Sequence, residues 1–392
     1  MPAADDDSPS IPILDLSWAE DEQKKPLLLE QLRSALFDVG FLYIKNHGVP
    51  QTTISNLTDR LPALFDLPAC ERAALSKLNS PHFLGYSGFA EETTLGKQDL
   101  REQFDYATEL PVVYQHPTST QTSGANGHAK YGERDFSQLY WRLRGPNQWP
   151  AEESLPGFRE ALSAYHDRVA ELSYRFVHLI EEAFSIPIGT FDHFFGRHDS
   201  ASQFNSTTKP RSFLPPQHRI KLLKYPPTSR ENSGSQGVGA HKDSSGWLTF
   251  LLQVGAEPGL EVLSSTNDWV PAIPIDGTFV VNFGNAFEAA TSGAVKATTH
   301  RVIAPSPDSP TRYSIPFFQG LPLDMTVSEV RGYIPESVRN MRKAREGKEV
   351  SDAFLDPRWD SLGESQLRKW VRSHRDVGER WYGKDVVEYY TS

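Results

Sequence analysis

Cysteine is almost absent from this chain of 392 residues, since Cys70 is its only copy. No intramolecular disulfide can form, which favours a reducing compartment. No stretch approaches the ~18–20 consecutive apolar residues of a membrane span. The acidic first residues also lack the apolar centre of a signal peptide. We therefore expect a soluble, cytoplasmic protein that has no membrane partner.

Positive charge is in deficit, because 40 Lys and Arg residues stand against 50 Asp and Glu residues and leave a formal net charge of −10. This balance argues against nucleic acid or an anionic membrane as the main partner. It does not exclude a local basic pocket for a small acid. A small molecule is the partner that we expect, and the sequence gives no indication of the oligomeric state.

Changes in composition and periodicity divide the chain into six predicted regions. They are a disordered leader (1–10), an N-terminal region of short strands and helices (11–114), a flexible insertion (115–134), a helical segment (135–214), a strand-rich core (215–322) and a C-terminal helical extension (323–392). No repeat and no clear linker separates independent domains.

The strand-rich core is punctuated by Gly, Pro and Asp in a way that predicts an antiparallel barrel or jelly roll. Its predicted strands cover 219–225, 247–254, 260–263, 278–283, 295–304 and 311–318, with a Ser/Gly-rich hinge at 228–239. Apolar residues spaced by three and four from Phe158 to Leu179 predict one long amphipathic helix. A closing helix around Leu367 and Trp370 is expected to pack back on the barrel. The predicted fold class is mixed α+β, with a jelly-roll core flanked by helices.

A His-x-Asp pair, His241 and Asp243, precedes the second of these strands. In an extended backbone both side chains point to the same side, so they can hold one metal ion. The pair alone is a weak signal, because in a chain with twelve histidines a His-x-Asp is roughly an even bet by chance. His300, on a predicted β-branched strand, adds a second imidazole, although taken by itself it would more often be a core histidine. Two imidazoles and one carboxylate on one face of an ion form the triad of non-haem Fe(II) oxygenases and leave other positions open.

An Arg-x-Ser pair, Arg312 and Ser314, occupies alternate positions of the last predicted strand. Arginine offers a planar, permanently charged fork for a carboxylate, and the serine adds a hydroxyl donor on the same face. Tyr225, at the end of its own strand, can add another hydrogen bond. Arg312 alone would more often pair with a structural acid. Together with the metal triad, this set predicts a clamp for a carboxylate co-substrate that also chelates the metal.

With these motifs, the sequence resembles the Fe(II)/2-oxoglutarate-dependent dioxygenases of the isopenicillin N synthase-like family over about residues 10–320. Ile11-Pro-Ile-Leu-Asp-Leu16 and the segment from Gly40 to Pro50 also look like that family's N-terminal region. The resemblance implies a double-stranded β-helix core, Fe(II) on the triad, and 2-oxoglutarate with its far carboxylate on Arg312 and Ser314. With O2, such enzymes couple oxidation of a small molecule to formation of succinate and CO2. It also makes 11–114 the N-terminal dioxygenase region and 215–322 the catalytic core.

The resemblance leaves the substrate open. Many relatives have His-Thr-Asp-Tyr-Gly where this chain has His-Lys-Asp-Ser-Ser-Gly, so Lys242 and Ser244 are candidates for reshaping the pocket edge. The segment from Glu91 to Lys97 also looks like microbial ethylene-forming enzymes, which bind arginine, and this makes Glu92 and Thr94 candidate substrate contacts. Phe318 is a candidate pocket wall, with a core position as the alternative.

Four functions follow as hypotheses. The first is hydroxylation, desaturation or cyclisation of a small organic molecule in microbial or fungal-type secondary metabolism. The second is an ethylene-forming or arginine-oxidising enzyme, and the third is an isopenicillin N synthase-like oxidase that does not use 2-oxoglutarate. The fourth is a catalytically silent jelly-roll binding module, although metal-free ligands converging in a pocket would carry a desolvation cost.

Overall fold

The computed structural model describes residues 11–94, 96–116, 134–196, 213–229, 234–243, 246–341 and 360–392. The predicted leader, residues 117–133 of the predicted insertion, and Ser244 lie outside the described residues. No helix in the described part of the chain is long and apolar enough to cross a membrane.

The described strands form two large sheets and one short hairpin. The strands are β1 (Ile13–Asp15), β2 (Phe41–Lys45), β3 (Gly85–Ser87), β4 (Thr93–Thr94), β5 (Lys97–Gln98), β6 (Glu102–Ala107), β7 (Arg219–Tyr225), β8 (Gln236–His241), β9 (Leu248–Val254), β10 (Leu260–Leu263), β11 (Trp269–Pro271), β12 (Thr278–Phe283), β13 (His300–Ile303) and β14 (Arg312–Gln319). One sheet has the order β1-β2-β12-β9-β14-β7-β6-β3, the other β11-β10-β13-β8, and β4 pairs with β5.

The two large sheets share an apolar interior. Phe41 of β2 and Leu223 of β7, from the eight-stranded sheet, pack in one buried cluster with Val238 of β8, Val262 of β10 and Val302 of β13. Alternating side chains along each strand supply this layer, as expected where two sheets pack face to face. The mixed α+β class and the jelly-roll core are thus confirmed.

The described helices lie outside the two-sheet core. They are α1 (Lys25–Ser34), α2 (Gln51–Thr58), α3 (Leu61–Phe65), α4 (Ala69–Ala74), α5 (Phe158–Ala183), α6 (Asn285–Ala290), α7 (Val327–Gly332), α8 (Glu336–Arg339), α9 (Leu362–Ser373), α10 (Arg375–Trp381) and α11 (Lys384–Thr391). The apolar stripe of α5 covers the outer face of the large sheet, where Phe176 meets Phe250 with ring centroids 5.6 Å apart. Central strand β12 is therefore buried along its whole length.

Helix α9 reaches back to the strand core from the far end of the chain. Its Leu367, Trp370 and Val371 are buried in a cluster with Phe83 and Leu143. The Trp370 ring lies 5.8 Å from that of Phe83. This packing fixes which side of α9 faces the barrel mouth.

Three local predictions need correction. Residues 236–241 form strand β8 and are not part of a hinge, because they pair with β13. The mixture of glycine with carboxylate and hydroxyl side chains over residues 85–97 predicts a loop, but this segment contains strand β3 and strands of the β4–β5 hairpin. The strand predicted over 295–304 is shorter and starts at His300, since Lys296 and Thr298 instead bond to the backbone just after α1, at Leu36 and Val39.

Candidate active site

The strand pairing of the smaller sheet brings two of the predicted metal ligands side by side. His241 is the last residue of β8 and His300 the first of β13, and the two are paired in register. Asp243 follows two residues after His241, at the mouth between the sheets. The structure thus gathers the three residues that the sequence motif predicts.

The three side chains converge on one point. His241 Nε2 and His300 Nε2 each lie 3.8 Å from Asp243 Oδ1, and the donor atoms all lie within 4.8 Å of one another. Because metal–nitrogen and metal–oxygen bonds are ~2.0–2.2 Å long, one ion can bridge each histidine–aspartate pair. The donor set of two imidazoles and one carboxylate suits Fe(II).

Backbone carbonyls orient both imidazoles. His241 Nδ1 lies 2.8 Å from the Gly239 carbonyl oxygen, and His300 Nδ1 lies 3.2 Å from that of Thr298. A carbonyl only accepts, so each Nδ1 carries the proton and donates it, which leaves the Nε2 lone pair for a metal. Burial, reinforced by His300, lowers the pKa of His241 to about 3, so the imidazole is in its neutral, metal-binding form.

Hydrogen bonds from two neighbouring side chains orient Asp243. Its Oδ2 accepts hydrogen bonds from Thr249 Oγ1 at 2.6 Å and Asn282 Nδ2 at 2.7 Å, while Oδ1 faces the two histidines. Burial alone would raise the pKa of Asp243, but His300, His241 and the two hydrogen bonds outweigh it and lower the pKa to about 2. The carboxylate is therefore ionised and positioned before any ion binds.

Replacement of Thr249 by valine should weaken metal binding about tenfold, the lower end of the effect of losing a hydrogen bond to a ligand. Valine keeps the shape of threonine but cannot donate to Asp243. An anaerobic Fe(II) titration measures the change. Thr278→Val is the matched control, since Thr278 Oγ1 donates to the Ile275 carbonyl, away from the triad. Equal affinity of the Thr249 variant and the wild type would contradict this role.

A buried cation lines the same cavity as the triad. Arg312 is 1% exposed, and its Nη2 donates to Gln253 Oε1 at 3.0 Å. Its Nε and Nη1 have no hydrogen-bond partner among the described residues, and its Cζ lies 5.0 Å from the centre of the Tyr225 ring. Arg312 pairs with Tyr225 across β14 and β7, and Ser314 is the next buried residue on that face. An unpaired buried guanidinium is costly, so this position fits a carboxylate ligand.

One cavity of about 530 Å³ is lined by the three triad residues and by Arg312, Ser314 and Tyr225. This volume is within the range of small-molecule sites and has room for a co-substrate and a small substrate. The four predicted substrate contacts, Glu92, Thr94, Lys242 and Phe318, also line it. The half-buried Phe318 therefore lies at a pocket wall as well as in the packed region around β14.

Two of these four side chains already form ion pairs within the chain. Lys242 lies 3.0 Å from Glu288 Oε2 of α6. Glu92 Oε2 lies 2.7 Å from Arg101 Nη2, and its Oε1 lies 3.5 Å from Lys77 Nζ. Burial opposes ionisation of Glu92, but Lys221 and the other cations outweigh it and hold its pKa well below the usual range. Glu92 therefore acts within this chain as the centre of an ion-pair cluster.

Sequence reasoning missed the residues that support the site. Thr249 and Gln253 occupy alternate positions of β9, on the same face, and are polar in an otherwise apolar strand. Two polar residues on one face of an apolar strand are a signal that could have identified them, since Thr249 contacts Asp243 and Gln253 contacts Arg312. Lys369 of α9 also lines the cavity, and nothing in the local sequence indicates it.

Comparison with known proteins agrees with this geometry. The family model for the non-haem dioxygenase in morphine synthesis N-terminal region matches residues 11–152. The model for the 2OG-Fe(II) oxygenase superfamily matches residues 216–320, which hold the triad and Arg312.

Curated relatives match nearly the whole chain. The 2-oxoglutarate-dependent dioxygenase frbJ of Dothideomycetidae sp. (strain 11243) is 41% identical over 380 residues, covering 95% of this chain and 92% of the relative. A 2-oxoglutarate-dependent dioxygenase of Gibberella zeae is 30% identical over 382 residues, covering 95% and 91%. A full-length protein of Neurospora crassa, solved in complex with alpha-KG, shares the fold, with a TM-score of 0.64 and 23% identity over 92% of this chain and 97% of that one. The chain therefore belongs to the 2OG-Fe(II) oxygenase superfamily and is an Fe(II)- and 2-oxoglutarate-dependent dioxygenase that uses O2 to oxidise a small organic molecule.

Proposed function

We propose that His241, Asp243 and His300 hold the Fe(II) ion of this dioxygenase, and that Arg312, Ser314 and Tyr225 hold the far carboxylate of 2-oxoglutarate. The observation that carries the second assignment is the buried Arg312 guanidinium, which has no carboxylate partner within 4.0 Å among the described residues. Two parallel N–H donors match the two oxygens of a carboxylate.

The bound iron supplies O2 activation, coupled to decarboxylation of 2-oxoglutarate to succinate and CO2. The residues of the chain provide position and charge. Thr249 and Asn282 keep Oδ1 of Asp243 turned to the ion, and Gln253 orients the Arg312 fork. Leu223 and Leu251 form part of an apolar wall that excludes water from the co-substrate. The substrate would approach on the side of Phe318, next to the triad.

The surroundings of Glu92 distinguish between the substrate hypotheses. An arginine-oxidising enzyme that uses Glu92 to bind a guanidinium would need an open carboxylate there. In this chain Arg101, Lys77 and Lys221 already lie within 3.5 Å of it. We therefore favour oxidation of a small organic molecule by hydroxylation, desaturation or cyclisation, in fungal-type secondary metabolism, since similar proteins come from Gibberella and other fungi. A cytoplasmic location belongs to the same proposal.

The direct test is to follow 2-oxoglutarate consumption, succinate and O2 uptake by purified protein with Fe(II). We expect succinate only when iron, 2-oxoglutarate and O2 are all present, with more when a substrate is added. O2 uptake and substrate oxidation without 2-oxoglutarate would favour the isopenicillin N synthase-like oxidase. No Fe(II) binding by wild-type protein would favour the silent binding module.

A further inference from the structure

The C-terminal helix α9 closes one side of the active-site cavity. Ser365, Lys369 and Trp370 line the same cavity as the triad, although α9 lies beyond both segments matched by the family models. The buried side chains of Leu367 and Val371 anchor the helix in the cluster around Phe83. Because residues before and after Lys369 are both packed in this cluster, the helix is held with Lys369 on its cavity side.

Among the described residues, the positive charge of Lys369 has no carboxylate partner. No carboxylate oxygen of the described chain comes within 4.0 Å of its Nζ, in contrast to the cations of the neighbouring ion-pair cluster. The Nζ lies instead 6.0 Å from the centre of the Phe318 ring and 5.8 Å from that of Trp370. Burial lowers the pKa of Lys369, while Asp243 and Glu92 act in the opposite direction.

The acids of the neighbouring ion-pair cluster are already engaged. Glu92 contacts Arg101 and Lys77, and Asp105 Oδ2 lies 2.7 Å from Lys77 Nζ. Asp99 Oδ1 accepts from Gln236 Nε2 at 2.8 Å and from the Gly239 backbone N–H at 3.2 Å.

Charge matching in the ion-pair cluster leaves Lys369 without a carboxylate partner among the described residues, whereas the buried Arg219 donates to the backbone carbonyls of Phe83, His82 and Leu143. The carboxylates of Glu92, Asp99 and Asp105 are matched by the cations of Lys77, Arg101 and Lys221. In the site proposed above, the positive charges of Fe(II) and Arg312 are balanced by the carboxylate of Asp243 and the two carboxylates of 2-oxoglutarate. Lys369 is then a positive charge in the cavity that neither the described carboxylates nor the co-substrate neutralise. A partly desolvated cation of this kind is stabilised by an anionic ligand.

We propose that Lys369 binds a carboxylate group of the primary substrate, with the Phe318 and Trp370 rings packed against the part of the substrate next to it. The primary substrate is then a small organic acid. The one positive charge of Lys369 balances a singly charged carboxylate, whereas a phosphate monoester carries about −1.5 to −2 at pH 7. This inference rests on the proposed function, because it assigns Arg312 to the co-substrate and not to the substrate.

Matched acids and amides test the proposal without knowledge of the natural substrate. Wild-type protein is loaded with Mn(II) in place of iron and with saturating 2-oxoglutarate, so that no turnover occurs. Binding is then measured by calorimetry for phenylacetate, hexanoate and N-acetylleucine, each beside its primary amide, and for phenyl phosphate. We expect the acid to bind at least about tenfold more tightly than its amide in at least one pair, a difference of about 1.4 kcal/mol.

Substitutions show whether Lys369 is the source of that preference. In Lys369→Gln the acid and the amide should bind equally, and Lys369→Arg should keep a preference for the acid. Arg375→Gln, which removes an exposed positive charge just beyond α9, is the matched control and should keep the wild-type preference. Thermal unfolding checks that each variant is folded.

Three results would overturn the proposal: no acid preference in any pair, the same preference in Lys369→Gln as in wild type, or a stronger preference for phenyl phosphate than for phenylacetate. The first titration separates this inference from the function on which it rests. If wild-type protein fails to bind Mn(II) and 2-oxoglutarate, the assignment of the metal and co-substrate sites fails. If it binds both but shows no acid preference, only the role of Lys369 fails.

Discussion

Replacing Arg312 with alanine should raise the concentration of 2-oxoglutarate needed for half-maximal succinate release at least about 100-fold. Hydrogen bonds to a charged group are worth ~1.5–3 kcal/mol each, and the guanidinium can donate two of them to one carboxylate. Each 1.4 kcal/mol corresponds to a factor of ten, so two such bonds exceed the stated value. The measurement is succinate formation over a range of 2-oxoglutarate concentrations.

Two further variants make this result specific to the fork of Arg312. Arg312→Lys keeps a charge but not the two parallel donors, and it should lie between alanine and wild type. Arg301→Ala is the control, because Arg301 lies on β13 of the four-stranded sheet and pairs with Glu261 at 2.7 Å. We expect Arg301→Ala to behave like wild type. Unchanged dependence on 2-oxoglutarate in Arg312→Ala would remove that residue from the co-substrate site.

The strands that were predicted with the correct bounds are those whose own sequence determines them. Strands β7, β10 and β12 occupy the predicted ranges 219–225, 260–263 and 278–283. Each is rich in apolar residues and ends at glycine, proline or a polar turn. Strand β8 was missed because Gln-Gly-Val-Gly-Ala-His has no such pattern. Its extended conformation depends on pairing with β13, which is distant in sequence.

The candidate site also contains residues that the local sequence identifies and residues that only distant contacts bring to the cavity. His241, Asp243, His300 and Arg312 could be predicted because spacing on strands sets the direction of a side chain. Lys369 could not, since the periodicity of α9 indicates only that Leu367 and Val371 are buried. Where that buried face docks is set by contacts with Phe83, almost three hundred positions earlier.

Glu92 shows how a correct position can still leave the role of a residue open. Resemblance placed it at the pocket, and the structure has it in the cavity wall. Its partners come from separate parts of the chain, with Arg101 near it in sequence, Lys221 on β7 and His374 after α9. No local pattern gives that set of contacts. The cluster joins the β4–β5 hairpin to the C-terminal helices. Glu92 therefore has a structural role whether or not it also contacts the substrate.

Asp243→Asn should weaken Fe(II) binding at least about 100-fold, beyond the 10–100-fold range for residues that only hydrogen-bond a ligand. The asparagine side-chain oxygen can keep both hydrogen bonds, from Thr249 and Asn282, that the carboxylate Oδ2 accepts. Its amide nitrogen then replaces Oδ1 opposite the two histidines, and an N–H donor cannot coordinate a cation. We therefore expect the loss of metal binding without loss of the fold.

Anaerobic calorimetry with Fe(II) and thermal unfolding of the metal-free protein test both parts of this expectation. Asp268→Asn is the matched control, because Asp268 is exposed and its Oδ2 accepts from Thr266 in a surface turn. The Asp243 variant should remain folded in the absence of metal, because both buried hydrogen bonds persist, although the lowered pKa of Asp243 means that loss of its charge costs some stability. Iron binding equal to that of Asp268→Asn would exclude Asp243 as a ligand. A large loss of metal-free stability would instead mean that the charge of Asp243 holds the two histidines in place, and the loss of iron binding would then follow from unfolding.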